Sequence, residues 1–248
     1  MLKLLEDLKS YSFFKGLSFL EVTPFELIEP SSIGPLEFVC IGPGIYVRSC
    51  QTLINVGEGE GFMARLPLVD VEKVTDPEIL GIFAWVTEME GKVPNHFAVE
   101  LNFPELMKSK LGFTKTLWET GELSMEEIQH VGIVVSRANG CPYCTGAFCT
   151  ILVHGLGENK SKAKELVSKG SSALVAKSRL KLITEFAEEV NNNPREITDE
   201  DIEILEDIGL SDRGIIQLIH LVSDFASYNR LNLALDTDYD YDSFGFGE

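Results

Sequence analysis

The chain has 248 residues, 44% of them hydrophobic, which is enough to bury one large core or a domain with an appendage. Its 39 acidic side chains outnumber 21 basic ones, for a net charge of −18. A surface so negative repels phosphate backbones and anionic headgroups, so no nucleic acid and no membrane is expected as a partner. No run approaches the roughly 20 apolar residues of a membrane span, and Met1–Ser10 lacks a signal-peptide core, so the expected location is cytoplasmic.

The predicted elements begin with a short helical leader at Leu2–Leu8. Residues 30–72 are rich in glycine and proline and carry β-type runs. Leu36–Ile41 and Ile45–Cys50 flank Gly42-Pro43-Gly44, the pattern of a hairpin. If Ile41 faces Ile45, Cys40 faces Tyr46 and Cys50 faces Leu36, a register that predicts no disulfide between the two cysteines. Residues 1–72 are therefore read as an N-terminal extension.

From about residue 75 the signals turn helical. Thr75-Asp-Pro-Glu78 is a capping box with a proline near the helix start, opening a helix to about Met89. Pro104 opens another, which runs to Glu119 and stops at Gly121. Ser124-Met-Glu-Glu127 is a second capping box, ahead of Ile128, Val131, Ile133, Val134 and Val135. A helix apolar on nearly all sides belongs at the centre of a core. Asn139-Gly140 breaks it, and a helix carrying the cysteines follows to about His154. Lys162–Val167, Lys177–Val190, Thr198–Glu206 and Asp212–Leu235 complete an all-α domain over residues 73–235. The remaining residues 236–248, aspartate alternating with tyrosine and phenylalanine, read as a flexible acidic tail.

Asn139-Gly-Cys-Pro-Tyr-Cys144 is the stretch that carries chemistry. Cys141 and Cys144 lie three positions apart at a helix start, where free N–H groups and the helix dipole stabilise a thiolate. Redox chemistry is the first reading, with zinc as its rival. Zinc needs about four ligands. Cys149 and His154 lie roughly 7 and 15 Å along the helix from Cys144, and one helix cannot fold them round one ion. There is no second Cys-x-x-Cys. No metal and no other cofactor is expected.

Several ordered blocks between Asp76 and Leu235 resemble the alkylhydroperoxidase D-like, or carboxymuconolactone decarboxylase, superfamily. They are Gly91–Asn95 followed by Pro104, Gly121–Ser124, Val135–Cys144, Ile202–Gly209 with Ser211-Asp212, and Phe225–Ala234. The resemblance implies an all-α helical bundle that assembles as a homotrimer or homohexamer. It implies that Cys144 attacks a hydroperoxide and Cys141 resolves the product as a disulfide. The implied electron donor is a dithiol protein of the lipoyl or thioredoxin type.

The chain departs from that pattern at two positions. Gln129 stands where the family has a relay glutamate, and Phe148 where it has a relay histidine. Neither can pass a proton. Glu126, three residues before Gln129, is the nearest substitute acid, although an acid in a first helical turn is also favoured by the dipole alone. His96 and Tyr143 are further candidates to line the pocket, either of which could equally be packing. Phe148 would dry the site and raise the thiol pKa. The expected activity is weakened peroxide reduction, with a non-catalytic ligand-binding or assembly protein as the alternative. A decarboxylase is disfavoured, because no histidine–arginine pair for a carboxylate stands near Cys144.

Overall fold

The computed structural model describes residues 64–244 and the backbone of two strands, β1 (Leu36–Ile41) and β2 (Gly44–Ser49). The leader at Leu2–Leu8 lies outside the described residues. The chain divides into two compact units, Met1–Glu60 and Gly61–Glu248. In the first, β1 and β2 pair antiparallel with Ile41 opposite Gly44, Cys40 opposite Ile45 and Leu36 opposite Ser49. This is one residue off the register read from the sequence, because Gly44 belongs to the strand.

Among the described residues the second unit is helical: α1 (Pro77–Glu90), α2 (Asn95–Glu100), α3 (Pro104–Glu119), α4 (Met125–Ala138), α5 (Pro142–Thr150), α6 (Lys160–Lys169), α7 (Arg179–Asn192), α8 (Asp199–Asp207) and α9 (Asp212–Leu235). The capping signals set the starts. The capping box read at Thr75–Glu78 gives way to a simpler cap one residue later: Asp76 caps α1, accepting from the N–H groups of Glu78 and Ile79, with Pro77 at the first position. Ser124 and Glu127 close a reciprocal capping box on α4. The short α2 was not read from the sequence, since six residues are too few to show a helical period. The cysteine helix leaves α-geometry at Ile151 and finishes as a π-helical turn, Ile151–Gly155.

The all-α expectation holds across this unit, with α4 at its centre. Ile128, Val131, Ile133, Val134 and Val135 are fully buried, and α5, α7 and α9 pack around them. Burying each such side chain contributes about 1.5–3 kcal/mol before the entropy of ordering it is subtracted. A second apolar cluster joins α1, α2 and α3 through Phe83, Val86, Phe97, Met107 and Leu111. The candidate site lies on the seam between these two cores.

The chain beyond α9 departs from the expectation of a mobile tail. Phe244 is fully buried, with Lys160 Nζ 5.1 Å from its ring centre. Tyr241 Oη donates to Glu90 Oε2 (2.6 Å), and Asp240 pairs with Lys92 (2.9 Å). The aromatic residues between the aspartates are the reason: they have apolar surface to bury, and it is buried against the bundle.

Candidate active site

Gly140, at φ 66°, makes the reversal between α4 and α5 that a side chain would oppose. The Cys141 N–H then donates to Ser136 O (2.9 Å), and Cys141 becomes the N-cap of α5. Its sulfur accepts the Cys144 N–H across 3.4 Å. The amide-lined helix mouth inferred from the sequence is thus built from one break and one cap.

The two sulfurs are in hydrogen-bond contact but sit in unequal fields. The Cys144 thiol and the N–H groups of Cys144 and Tyr143 hold the Cys141 thiol below its usual range, against the opposing effect of burial. Burial, followed by the neighbouring Cys141 sulfur, pushes Cys144 well above it. Two amides of α9 oppose that rise. Asn232 Nδ2 stands 3.3 Å from Cys144 Sγ, and Asn229 also hydrogen-bonds to that sulfur. Asn229 is anchored in turn by Ser136 Oγ (2.9 Å) and Asn139 Nδ2 (2.8 Å).

Cys144, and not Cys141, opens onto a cavity whose space for a water-sized sphere is about 60 Å³, room for a few waters or a small organic molecule. Its wall is predominantly aromatic. Trp85 comes from α1, Trp118 from α3, Phe148 from α5, Phe225 and Tyr228 from α9, and Tyr241 from the terminal segment. Phe148 packs on Phe225 at 4.5 Å between ring centres and fills the room left by Gly132, where a Cβ would stand 2.5 Å from the ring.

The polar groups on this wall are few. Glu90 is part-buried at the end of α1, and its carboxyl is pushed up to about 7 by burial, with the Tyr241 hydroxyl pulling the other way. Burial holds the His96 imidazole down to about 4, so that ring is neutral at physiological pH. The His96 backbone N–H donates to Tyr143 Oη (3.0 Å), which in turn donates to Asp240 Oδ1 (2.8 Å). On the far wall, Tyr228 Oη and Asp224 Oδ2 share Thr114 Oγ1, at 3.1 and 2.8 Å, and Lys110 pairs with Asp224.

The structure therefore brings Cys144, Tyr143, Phe148 and His96 to one cavity, with Cys141 directly behind the wall. It does not bring Glu126, which is exposed on the first turn of α4. Gln129 is fully buried away from the cavity; its Nε2 donates to Met125 Sδ (3.3 Å) and its Oε1 has no partner among the described residues. Glu90 and Tyr241 were not singled out from the sequence, whereas Asn229 and Asn232 lie inside the Phe225–Ala234 block that carries the family resemblance. Among the described residues, no three His, Cys, Asp or Glu side chains converge as a metal-ligand set.

A helical bundle carrying a buried Cys-x-x-Cys beside an aromatic cavity is the class that the fold and site define. Its solved structural neighbours include a peroxidase-related protein with an alkylhydroperoxidase core from Ralstonia eutropha (22% identity, 75% of this chain and 96% of that one, TM-score 0.66). A peroxidase-related protein from Silicibacter is similar to the same degree (22% identity, 78% and 99%, TM-score 0.64). The debrominase Bmp8, in complex with 2,3,4-tribromopyrrole, shares the fold at 18% identity over 70% of this chain and 91% of its own (TM-score 0.59). No protein-family model and no curated protein matches the chain. The chain has the alkylhydroperoxidase D-like fold. No helix among the described residues is long and apolar enough to cross a membrane.

Proposed function

We propose that this protein is a thiol-dependent oxidoreductase that reduces compact apolar hydroperoxides, with Cys144 as the attacking thiol and Cys141 as the resolving one. The observation that carries the reading is the placement of Cys144 Sγ on the cavity wall, within reach of Asn232, with its partner thiol in contact behind it. Attack on the O–O bond leaves a sulfenic acid on Cys144. Cys141, the more readily ionised of the pair, is suited to displace the hydroxyl and close a disulfide. A dithiol protein of the lipoyl or thioredoxin type would reopen it. The aromatic wall favours an uncharged apolar reactant over hydrogen peroxide.

The test is a titration of free thiols after cumene hydroperoxide is added to the wild type, Cys144→Ser and Cys141→Ser. A Cys141–Cys144 disulfide in the wild type, its absence in both variants, and a trapped sulfenic acid in Cys141→Ser support the reading. Thiols unchanged by hydroperoxide would instead favour a ligand-binding protein, the reading that the deep burial of Cys144 and the replaced relay positions would suit.

The same proposal includes a homotrimer or homohexamer. Phe103 at the N-cap of α3, Leu106 and Phe113 on α3, and Ile216 and Ile219 on α9 are large apolar side chains exposed on this chain. Sedimentation of Ile216→Glu beside the wild type checks it, and a wild-type monomer would reject it.

A further inference from the structure

The fold supplies no ionisable group at Gln129 or Phe148, yet a carboxyl reaches the same cavity from another helix. We propose that Glu90, held by the Tyr241 hydroxyl at the end of α1, is the acid–base residue that takes the Cys144 proton and returns it to the departing oxygen. This rests on the hydroperoxide reading for its second half-step only.

The geometry selects Glu90 from the groups available. Glu90 and Cys144 line one cavity, and the 2.6 Å bond from Tyr241 holds one carboxyl oxygen. His96 on α2 shares the wall, but its suppressed basicity makes it a poor proton acceptor at neutral pH. Tyr143 on α5 is committed to Asp240, and burial keeps its hydroxyl protonated. Glu90 balances between its two forms near neutrality, where a shuttling group is most effective.

The charges around it are few. Asp240 from the terminal segment raises the Glu90 pKa and Lys92 lowers it, and these two are paired with each other. On the π-helical turn, His154 is turned toward Asp242 at 3.4 Å. On α3, Lys108 is held by Asp76 and Glu78, and Lys115 by Glu119.

The step balances. The Glu90 carboxylate accepts the Cys144 thiol proton as the sulfur bonds to the terminal oxygen of ROOH. The O–O bond breaks with its electron pair leaving on RO⁻, and the Glu90 carboxyl protonates that oxygen to give ROH. Sulfur is oxidised to the sulfenic acid and the hydroperoxide is reduced to the alcohol.

The experiment measures two rates at Cys144 from about pH 5 to pH 10: alkylation by iodoacetamide, located by tandem mass spectrometry, and oxidation by cumene hydroperoxide. Wild type, Glu90→Gln and Tyr241→Phe are compared, with circular dichroism reporting the fold. The wild-type alkylation rate should rise through an inflection near pH 7. Glu90→Gln should lose that inflection and react about 100-fold more slowly at neutral pH. Tyr241→Phe removes a donor to the carboxylate and should move the inflection to higher pH, which a purely structural role would not do. Should Glu90→Gln misfold, the Tyr241→Phe shift decides alone. An unchanged profile in the folded variants, or an inflection abolished by Cys141→Ser and kept in Glu90→Gln, overturns the proposal. Alkylation behaving as stated while hydroperoxide leaves the thiols intact keeps Glu90 as the proton acceptor and rejects the hydroperoxide reading.

Discussion

Asn232 donates its side-chain N–H to Cys144 Sγ across 3.3 Å, from a point in the sequence 88 residues beyond the cysteine. The same amide also donates to Tyr228 O (3.1 Å), so its orientation is fixed by its own helix. A fixed donor beside a buried sulfur stabilises the thiolate and leaves the neutral thiol little changed.

Asn232→Leu keeps the volume and removes that donor. Hydrogen bonds to charged groups contribute about 1.5–3 kcal/mol, so Cys144 alkylation near neutral pH should slow by about 10- to 100-fold. The measurement is the alkylation rate of the variant and the wild type, with denaturant unfolding to check the fold. An unaltered rate would mean that the amide serves packing alone.

The contrast between Asn232 and Ser124 shows what the sequence made legible. Ser124 and Glu127 meet within one helical turn, so their pattern alone placed the start of α4. Cys141 and Cys144 were legible for the same reason, being neighbours on α5. Asn232, Glu90 and Tyr241 reach the cavity through the packing of α9, α1 and the terminal segment, and no local spacing encodes such a meeting. The alternation of Asp with Tyr and Phe after residue 236 suggested solvent to a reader of charge. Buried Phe244 and half-buried Tyr241 show that the aromatic half of the pattern decided the outcome.

Gly132 and Phe148 form a matched pair. A Cβ at Gly132 would lie 2.5 Å from the Phe148 ring, which is itself packed against Phe225. Gly132→Ala gains about 1 kcal/mol of helix propensity and pays for overpacking in a tight core, typically about 1–3 kcal/mol. Net destabilisation is expected on denaturant unfolding. Pairing it with Phe148→Leu should recover stability, and additivity of the two changes would refute the coupling.

The two departures from the family pattern can be reversed by substitution. Phe148→His places an imidazole on the cavity wall, and Gln129→Glu places a carboxyl where a buried amide oxygen lacks a partner among the described residues. If those two positions limit turnover, the double variant should reduce cumene hydroperoxide at least tenfold faster, in line with the about 10²–10⁴-fold contribution of acid–base catalysis. The readout is turnover coupled to a dithiol reductant, with the single variants beside it. A folded double variant no faster than the wild type would refute a limiting role for these two positions.

Glu100, at the end of α2, makes stability depend on pH. Burial pushes its carboxyl up to about 7, only partly offset by Lys110, and its Oε2 has no hydrogen-bond partner among the described residues. Below about pH 4.5, the ordinary value, the group is neutral in both the folded and the unfolded chain and costs nothing. Between there and about pH 7 the unfolded chain ionises while the folded one resists, so stability falls as pH rises. The full shift is worth about 3 kcal/mol; partial exposure reduces this to on the order of 1–2 kcal/mol. Glu90 acts in the same direction, whereas His96, depressed to about 4, acts in the opposite one because protonation below its ordinary value of 6.5 favours the unfolded chain. Comparing Glu100→Gln with the wild type cancels both. Urea unfolding at about pH 5 and pH 7.5 should show the variant gaining relative stability as pH rises, and an advantage independent of pH would place the Glu100 carboxyl in water.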